Sequence, residues 1–179
     1  STLMLKRLAR ARVPLGFALA AAVIYLARPT LPVLVSGFPI ALAGLMFRAA
    51  AAGVIRKNTS LAQDGPYRTT RNPLYFGSFL LSLGFAIMSG SLVAGFLLIV
   101  PSAVIYPVVI RSEEAFLRDS FPIEFGRFQD NVPRFLPHRL SLKLFESFSP
   151  ECYRANREYK AAIGFISTMI IFLLKYVLA

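Results

Sequence analysis

The sequence predicts an all-α fold, a polytopic membrane helix bundle of about five spans in a single membrane domain covering residues 1–179. Three observations carry that reading. Of 179 residues, 56% are hydrophobic and only 16% are charged, with a mean hydropathy of +0.60, outside the range of ordinary soluble domains. The apolar residues fall in runs at or near the length of a spanning helix, about 20 residues. The net charge of +11 is gathered at the ends of those runs. Cations so placed report membrane topology, whereas a nucleic-acid partner would call for one basic face or tract, so no nucleic acid is expected.

Taken in order, the first span is expected over 13–27, behind Lys6, Arg7, Arg10 and Arg12. That layout is also how a signal peptide looks, with Ala18-Leu19-Ala20 as a cleavage site. A retained helix is the expected reading, because the next apolar run follows within a few residues. The second span, 31–55, has Pro32 in its first turn and a small-residue stretch, Ala49–Ala52, suited to close packing. Arg48 interrupts it. It could snorkel toward Arg56 and Lys57, or face the interior and pair with an acid or a bound carboxylate. Spans 73–88 and 92–110 form a hairpin, since only Ser89, Gly90 and Ser91 separate them. Pro101 and Pro107 lie inside the second arm, where each frees a carbonyl and can bend the helix. A last span is expected over 161–178. Ahead of it, Leu142, Leu144, Phe145 and Phe148 interleave with Lys143 and Glu146, which suits a short interfacial helix.

Two polar segments, 56–72 and 111–160, remain outside the hydrocarbon. The second holds nine of the twenty Lys and Arg residues and eight of the nine acids. Counting cations on each side of the spans puts the N-terminus and both segments in the cytoplasm, and five spans then put the C-terminus on the opposite side. One cysteine, Cys152, and one histidine, His138, can form neither an internal disulfide nor a closed zinc site, so no metal is expected.

The first polar segment ends in Gly65–Gly77, GPYRTTRNPLYFG, an ordered loop that launches a helix at Pro73. The second begins with RSEEAFLRDSFPIEFGRFQDNVPRFLP, Arg111 to Pro137. On composition alone the first is a basic interfacial loop with an aromatic anchor, and the Glu113–Glu114 pair a solvated helix end. Together, across an apolar hairpin, the two stretches resemble the superfamily of isoprenylcysteine carboxyl methyltransferases and phospholipid N-methyltransferases. The family pattern is G-x-Y-x-x-x-R-[HN]-P-x-Y-x-G, then E-E-x-x-L, an aromatic segment, and an Arg shortly before a Pro. The matching positions are Gly65, Tyr67, Arg71, Asn72, Pro73, Tyr75 and Gly77, then Glu113, Glu114 and Leu117, then Phe121, Phe125, Phe128, Arg134 and Pro137. Asn72 stands where many members carry His, Pro122 where Gly is usual, and Phe125 and Phe128 where two tyrosines are usual. Asn72 can donate a hydrogen bond but cannot titrate near neutral pH.

The resemblance implies S-adenosylmethionine as cofactor and a lipophilic or prenylated acceptor arriving from membrane lipid. It implies a cofactor set of Gly65, Tyr67, Arg71, Asn72, Pro73, Tyr75, Glu113 and Glu114, an acceptor set of Arg134, Phe125 and Phe128, and catalytic roles for Arg134 and Glu114. Adjacent helical positions differ by about 100°, so only one of the two glutamates points squarely at a cofactor, and which one is open. The scarcity of histidine suits a carboxylate or thiolate acceptor better than an amine that must first lose a proton. Two rival readings stand beside this one: a sterol-reductase-like membrane oxidoreductase using NADPH, and a non-catalytic membrane scaffold.

Overall fold

The computed structural model describes residues 16–56, 59–139 and 143–179, which form helices, turns and loops without strands. The basic cluster Lys6–Arg12, the start of the first expected span at Val13, Lys57 and Leu142 lie outside the described residues. The helices are α1 (Gly16–Leu26), α2 (Leu31–Ala52), α3 (Pro73–Met88), α4 (Leu92–Ser120), α5 (Pro122–Asn131), α6 (Pro150–Ala155) and α7 (Tyr159–Leu178), with a 3₁₀ turn at Gly65–Arg68. Helices α2, α4 and α7 are long and apolar enough to cross a membrane, while α1 and α3 are shorter apolar helices. The molecule is a membrane-spanning helical bundle.

The centre of the bundle is a seam between α2 and α3. Gly44 and Gly77 meet backbone to backbone, so a Cβ built on Gly44 would stand 2.5 Å from the Gly77 carbonyl oxygen. One turn pair further on, Gly37 and Ala41 meet Gly84. Small residues at these positions let two helices approach closely where lipid supplies no hydrophobic drive. Around the seam, Val23, Leu34, Met88, Ala94, Phe165 and Phe172 draw α1, α4 and α7 into one apolar cluster. At the hairpin end, the backbone N–H of Arg28 donates to the Ser89 carbonyl (2.6 Å), and Lys175 Nζ donates to the Ile24 carbonyl (2.5 Å). The first satisfies a carbonyl at the C-terminal end of α3, and the second one that the end of α1 leaves open.

The structure extends one expectation, replaces another and decides a third. Helix α4 runs unbroken past Pro101 and Pro107 and beyond the expected span 92–110 to Ser120, carrying Glu113 and Glu114 on helical backbone. The stretch expected as an interfacial helix is a turn over residues 143–147, pinned because Phe148 stacks on Gly53 and the Leu144 carbonyl abuts Gly65. Arg48 is resolved toward the interior. Its Nε and Nη2 donate to the two carboxylate oxygens of Glu158 (2.6 and 2.9 Å), and Nη1 donates to Ser78 Oγ. Glu158 is buried. It faces back to α2 because Arg157 turns the chain at φ +56°, and its neighbour Asn156 donates to the Ala52 and Ile55 carbonyls at the open end of α2. The segment 143–158 is thus strapped across the end of α2.

Candidate functional site

The two motif stretches meet at the N-terminal end of α3. The segment 132–138 threads alongside the Gly65 loop, held by the Arg71 N–H to the Pro133 carbonyl (2.9 Å), Thr70 Oγ1 to the Phe135 carbonyl (2.8 Å) and the His138 N–H to the Thr69 carbonyl (3.3 Å). Phe135 docks edge-on against Phe76 and Phe79 of α3, which fixes Arg134 beside it. Below this crossing lies Glu114, 3% exposed. Its Oε1 accepts from Arg71 Nε (3.0 Å) and Asn72 Nδ2 (3.1 Å), and its Oε2 accepts from Arg134 Nε (2.9 Å). A carboxylate so deep in the protein is tolerable only when paired and fully hydrogen-bonded, and three donors meet that requirement. Arg71 Nη1 is taken by the Gln129 and Val132 carbonyls, and Nη2 bonds to no described residue.

Glu113, one position earlier, points elsewhere. It faces a cavity of about 760 Å³, within the roughly 300–1,000 Å³ typical of small-molecule sites. Tyr75 Oη donates to Glu113 Oε1 at 2.6 Å. Tyr67, Arg71 and Asn72 line the same cavity, as do Phe116, Leu117, Ser120 and Phe121 of the α4 end, Phe128 of α5, and Ile55, Leu61 and Ala62 opposite. Burial, with the Glu113 and Tyr75 charges adding to it, pushes the Tyr67 phenol well above its ordinary range, so this ring stays neutral.

A second cavity of about 360 Å³ opens between α3 and α4, lined by Phe79, Ser102, Tyr106, Pro107, Ile110, Arg111, Arg134 and Phe135. Tyr75 of the first cavity stacks against Tyr106 of the second, with ring centroids 5.3 Å apart. Glu114 likewise ties Arg71 of the first to Arg134 of the second.

Of the residues expected from sequence, Tyr67, Arg71, Asn72, Tyr75, Glu113 and Phe128 line the larger cavity, and Arg134 lines the smaller one. Glu114 and Phe125 are buried beside them, lining neither. Gly65, at φ +55°, and Pro73 are buried parts of the loop and of the first turn of α3. Burial of Phe125 and Phe128 sets aside an anchoring role in the lipid interface. Phe116 and Ser120 were missed, although they fall three and seven positions after Glu113 and so share its helical face. Arg111 and Tyr106 of the second cavity carried no separable signal, because they sit in an apolar run and at its basic end. Among the described residues no group of three or more His, Cys, Asp or Glu lies close enough to hold a metal ion.

Over 92 residues, 51% of this chain and 42% of the relative, the sequence is 44% identical to the cobalt-zinc-cadmium resistance protein CzcN of Cupriavidus metallidurans. Over the same shares of each chain it is 41% identical to the nickel-cobalt-cadmium resistance protein NccN of Alcaligenes xylosoxydans xylosoxydans. The matched segment thus spans less than half the length of either relative. No solved structure matches the chain significantly. The model of the phospholipid methyltransferase family matches residues 41–123, the stretch from the middle of α2 to the start of α5. A phospholipid methyltransferase-like domain therefore occupies residues 41–123 and holds Arg71, Asn72, Tyr75, Glu113 and Glu114 within it.

Proposed function

We propose that the protein is an integral membrane methyltransferase that uses S-adenosylmethionine and esterifies a carboxylate borne on a lipophilic acceptor, of the isoprenylcysteine kind or another lipid acid. The observation that most supports this reading is the pair of cavities meeting at Tyr75 and Tyr106, the larger holding the Glu113 carboxylate beside Arg56 and Arg71 among apolar side chains, the smaller apolar with a basic end. When bound, S-adenosylmethionine supplies an electrophilic methyl group on a sulfonium cation. The larger cavity suits it in charge and shape. Glu113 offers a carboxylate to the cationic groups, Arg71 Nη2 is a donor left for a carboxylate, and Leu61, Leu117, Phe121 and Phe128 offer apolar faces to a purine.

Arg111 and Arg134 line the smaller cavity and no carboxylate does, so an anionic acceptor is drawn in while an ammonium would meet two guanidiniums. An acceptor that is already anionic needs no general base, which agrees with Asn72 at the position where many members of the resembled superfamily carry His. Tyr75 and Tyr106 narrow the passage and keep out water, and alignment then supplies most of the rate. Glu114 acts through its neighbours, holding Arg71 and Arg134 at a fixed separation. In this reading α1 and α3 cross the membrane beside the three longer helices, giving five spans among the described residues. The distribution of cations puts this end of the bundle in the cytoplasm, where the cofactor is dissolved. Esterifying a lipid carboxylate removes a negative charge that could seat a divalent cation. Through that loss the metal-resistance role in the relatives' names would connect to the same site.

Calorimetric titration of the purified protein with S-adenosylmethionine and with NADPH tests the reading. Binding of the first alone is expected, and binding of NADPH alone would replace this reading by the reductase one. With labelled cofactor, Arg134→Ala should lower turnover of a prenylated carboxylate far more than it lowers cofactor affinity. Equal losses would move Arg134 into the cofactor site, and faster methylation of phosphatidylethanolamine than of the carboxylate would overturn the acceptor class.

A further inference from the structure

A third hollow, of about 220 Å³, lies on the other side of Phe128 from the large cavity, and Phe128 lines both. Its polar rim is made of Arg68, Arg127 and Arg139, with the side-chain amides of Gln63 and Asn131 between them, and no carboxylate lines it. Arg68 is tied to Asp64 (3.4 Å) and Glu146 (3.1 Å). Arg127 and Arg139 form no ion pair with any described residue, although Glu124 and Asp130 sit on the same helix as Arg127. Arg127 and Arg139 thus line one small hollow without an anionic partner among the described residues, beside a third guanidinium that is already paired.

We infer that this hollow binds the phosphate of an anionic phospholipid at a site separate from methyl transfer. Guanidinium forks match phosphate oxygens bidentately, and the Gln63 amide adds a neutral donor, whereas Asn131 Nδ2 donates to the Arg127 carbonyl (2.7 Å) and holds the end of α5 in place. The hollow falls below the roughly 300 Å³ at which small-molecule sites begin, so it suits one phosphate group better than a whole nucleotide cofactor. The source of that phosphate follows from the neighbours. Ile123, one helical turn before Arg127, is 73% exposed, and Leu136, three residues before Arg139, is 68% exposed. Apolar side chains left bare beside cations are the pattern of a surface seated on a bilayer, with the apolar groups among acyl chains and the cations at the headgroups. Lipid phosphate, concentrated at that surface, is therefore the ligand, and the methyl-transfer reading need not hold for the site to exist.

The test uses the full chain in detergent micelles doped with phosphatidylglycerol or phosphatidylcholine, with bound lipid followed by native mass spectrometry. Wild type should retain phosphatidylglycerol selectively. Arg127→Gln/Arg139→Gln should bind it roughly 30-fold more weakly, the equivalent of about 1 kcal/mol for each cation removed near a charged lipid surface. Each single variant should show roughly a five-fold loss, so the inference stays open to test if the double variant does not fold. Equal phosphatidylglycerol affinity in wild type and variants would overturn the site. Displacement of the lipid by millimolar inorganic phosphate, with phosphatidylglycerol holding no advantage, would overturn the lipid as its source.

Discussion

Along the α2–α3 seam, Gly37, Ala41 and Gly44 face Gly84 and Gly77 with backbone against backbone, while at the open end of the same helices Glu114 gathers Arg71, Asn72 and Arg134 into one buried polar cluster. The seam is held by the absence of side chains and tolerates almost nothing added. The cluster is held by a single carboxylate and tolerates nothing removed. Different forces therefore set position in the two regions. Steric fit fixes how close the helices come, and charge pairing fixes how loop, α4 end and 132–138 segment face each other.

The sharpest way to break this contrast is Glu114→Ala. It strands one guanidinium that is almost fully buried and a second that is half exposed, and removing one partner of a buried pair costs about 3–5 kcal/mol. Chemical denaturation in detergent should show that loss, and a variant within about 1 kcal/mol of wild type would mean that the cluster does not carry position.

Glu113→Gln, one residue away, should leave stability unchanged. It should weaken S-adenosylmethionine binding by about 1.5–3 kcal/mol, roughly ten- to a hundred-fold in calorimetric affinity, because this carboxylate faces the cavity. Equal effects of the two glutamate variants on stability would erase the division of labour between them.

In the seam, Gly84→Ala adds a methyl group where Ala41 already stands and should cost about 1–3 kcal/mol of stability, as overpacking does. Cofactor affinity of the folded fraction should stay at the wild-type value. A loss of affinity larger than the loss of stability would show the two regions to be coupled.

The smallest effect is in alkali. The Tyr67 phenol is raised from an ordinary value of 10.0, so the folded state holds its proton more tightly than the unfolded chain. That contribution to stability is complete below about pH 10 and falls as pH climbs toward the folded value. Tyr67→Phe should flatten this alkaline decline, and phenolate absorbance should show one tyrosine titrating last. Tyr67 titrating with the other tyrosines would contradict its burial.

The contrast also explains what was legible in the sequence. Apolar runs located α2, α3 and α7 to within a few residues, because membrane solvation acts on local composition. The apolar run 92–110 marked only part of α4, since polarity begins there while helical backbone continues, a continuation legible in the spacing of Glu113, Phe116, Leu117 and Ser120. Motif order brought Arg71, Tyr75 and Glu113 to one cavity, but which glutamate faces outward depended on helical phase relative to α3, which no local pattern encodes. The glycine seam was overlooked in favour of Ala49–Ala52, although Gly37 and Gly44, like Gly77 and Gly84, repeat at seven residues. The turn over 143–147 was read as a helix because its apolar spacing fits one, whereas its shape is dictated by Gly53 and Gly65 far upstream.

The pair between Arg48 and Glu158 joins residues 110 positions apart. During synthesis the arginine emerges long before its partner exists, and at about 5–20 residues per second the interval lasts roughly 5–20 s. Through that time α2 carries an uncompensated charge, which favours a shallow placement with the guanidinium among headgroups. Arrival of Glu158 removes that preference, so the final depth of α2, and with it the closing of the seam, is decided when the segment leading into α7 is made. Bundle assembly is in this sense clocked by the arrival of residue 158, and a ribosome stalled before it would leave α2 accessible from the headgroup layer.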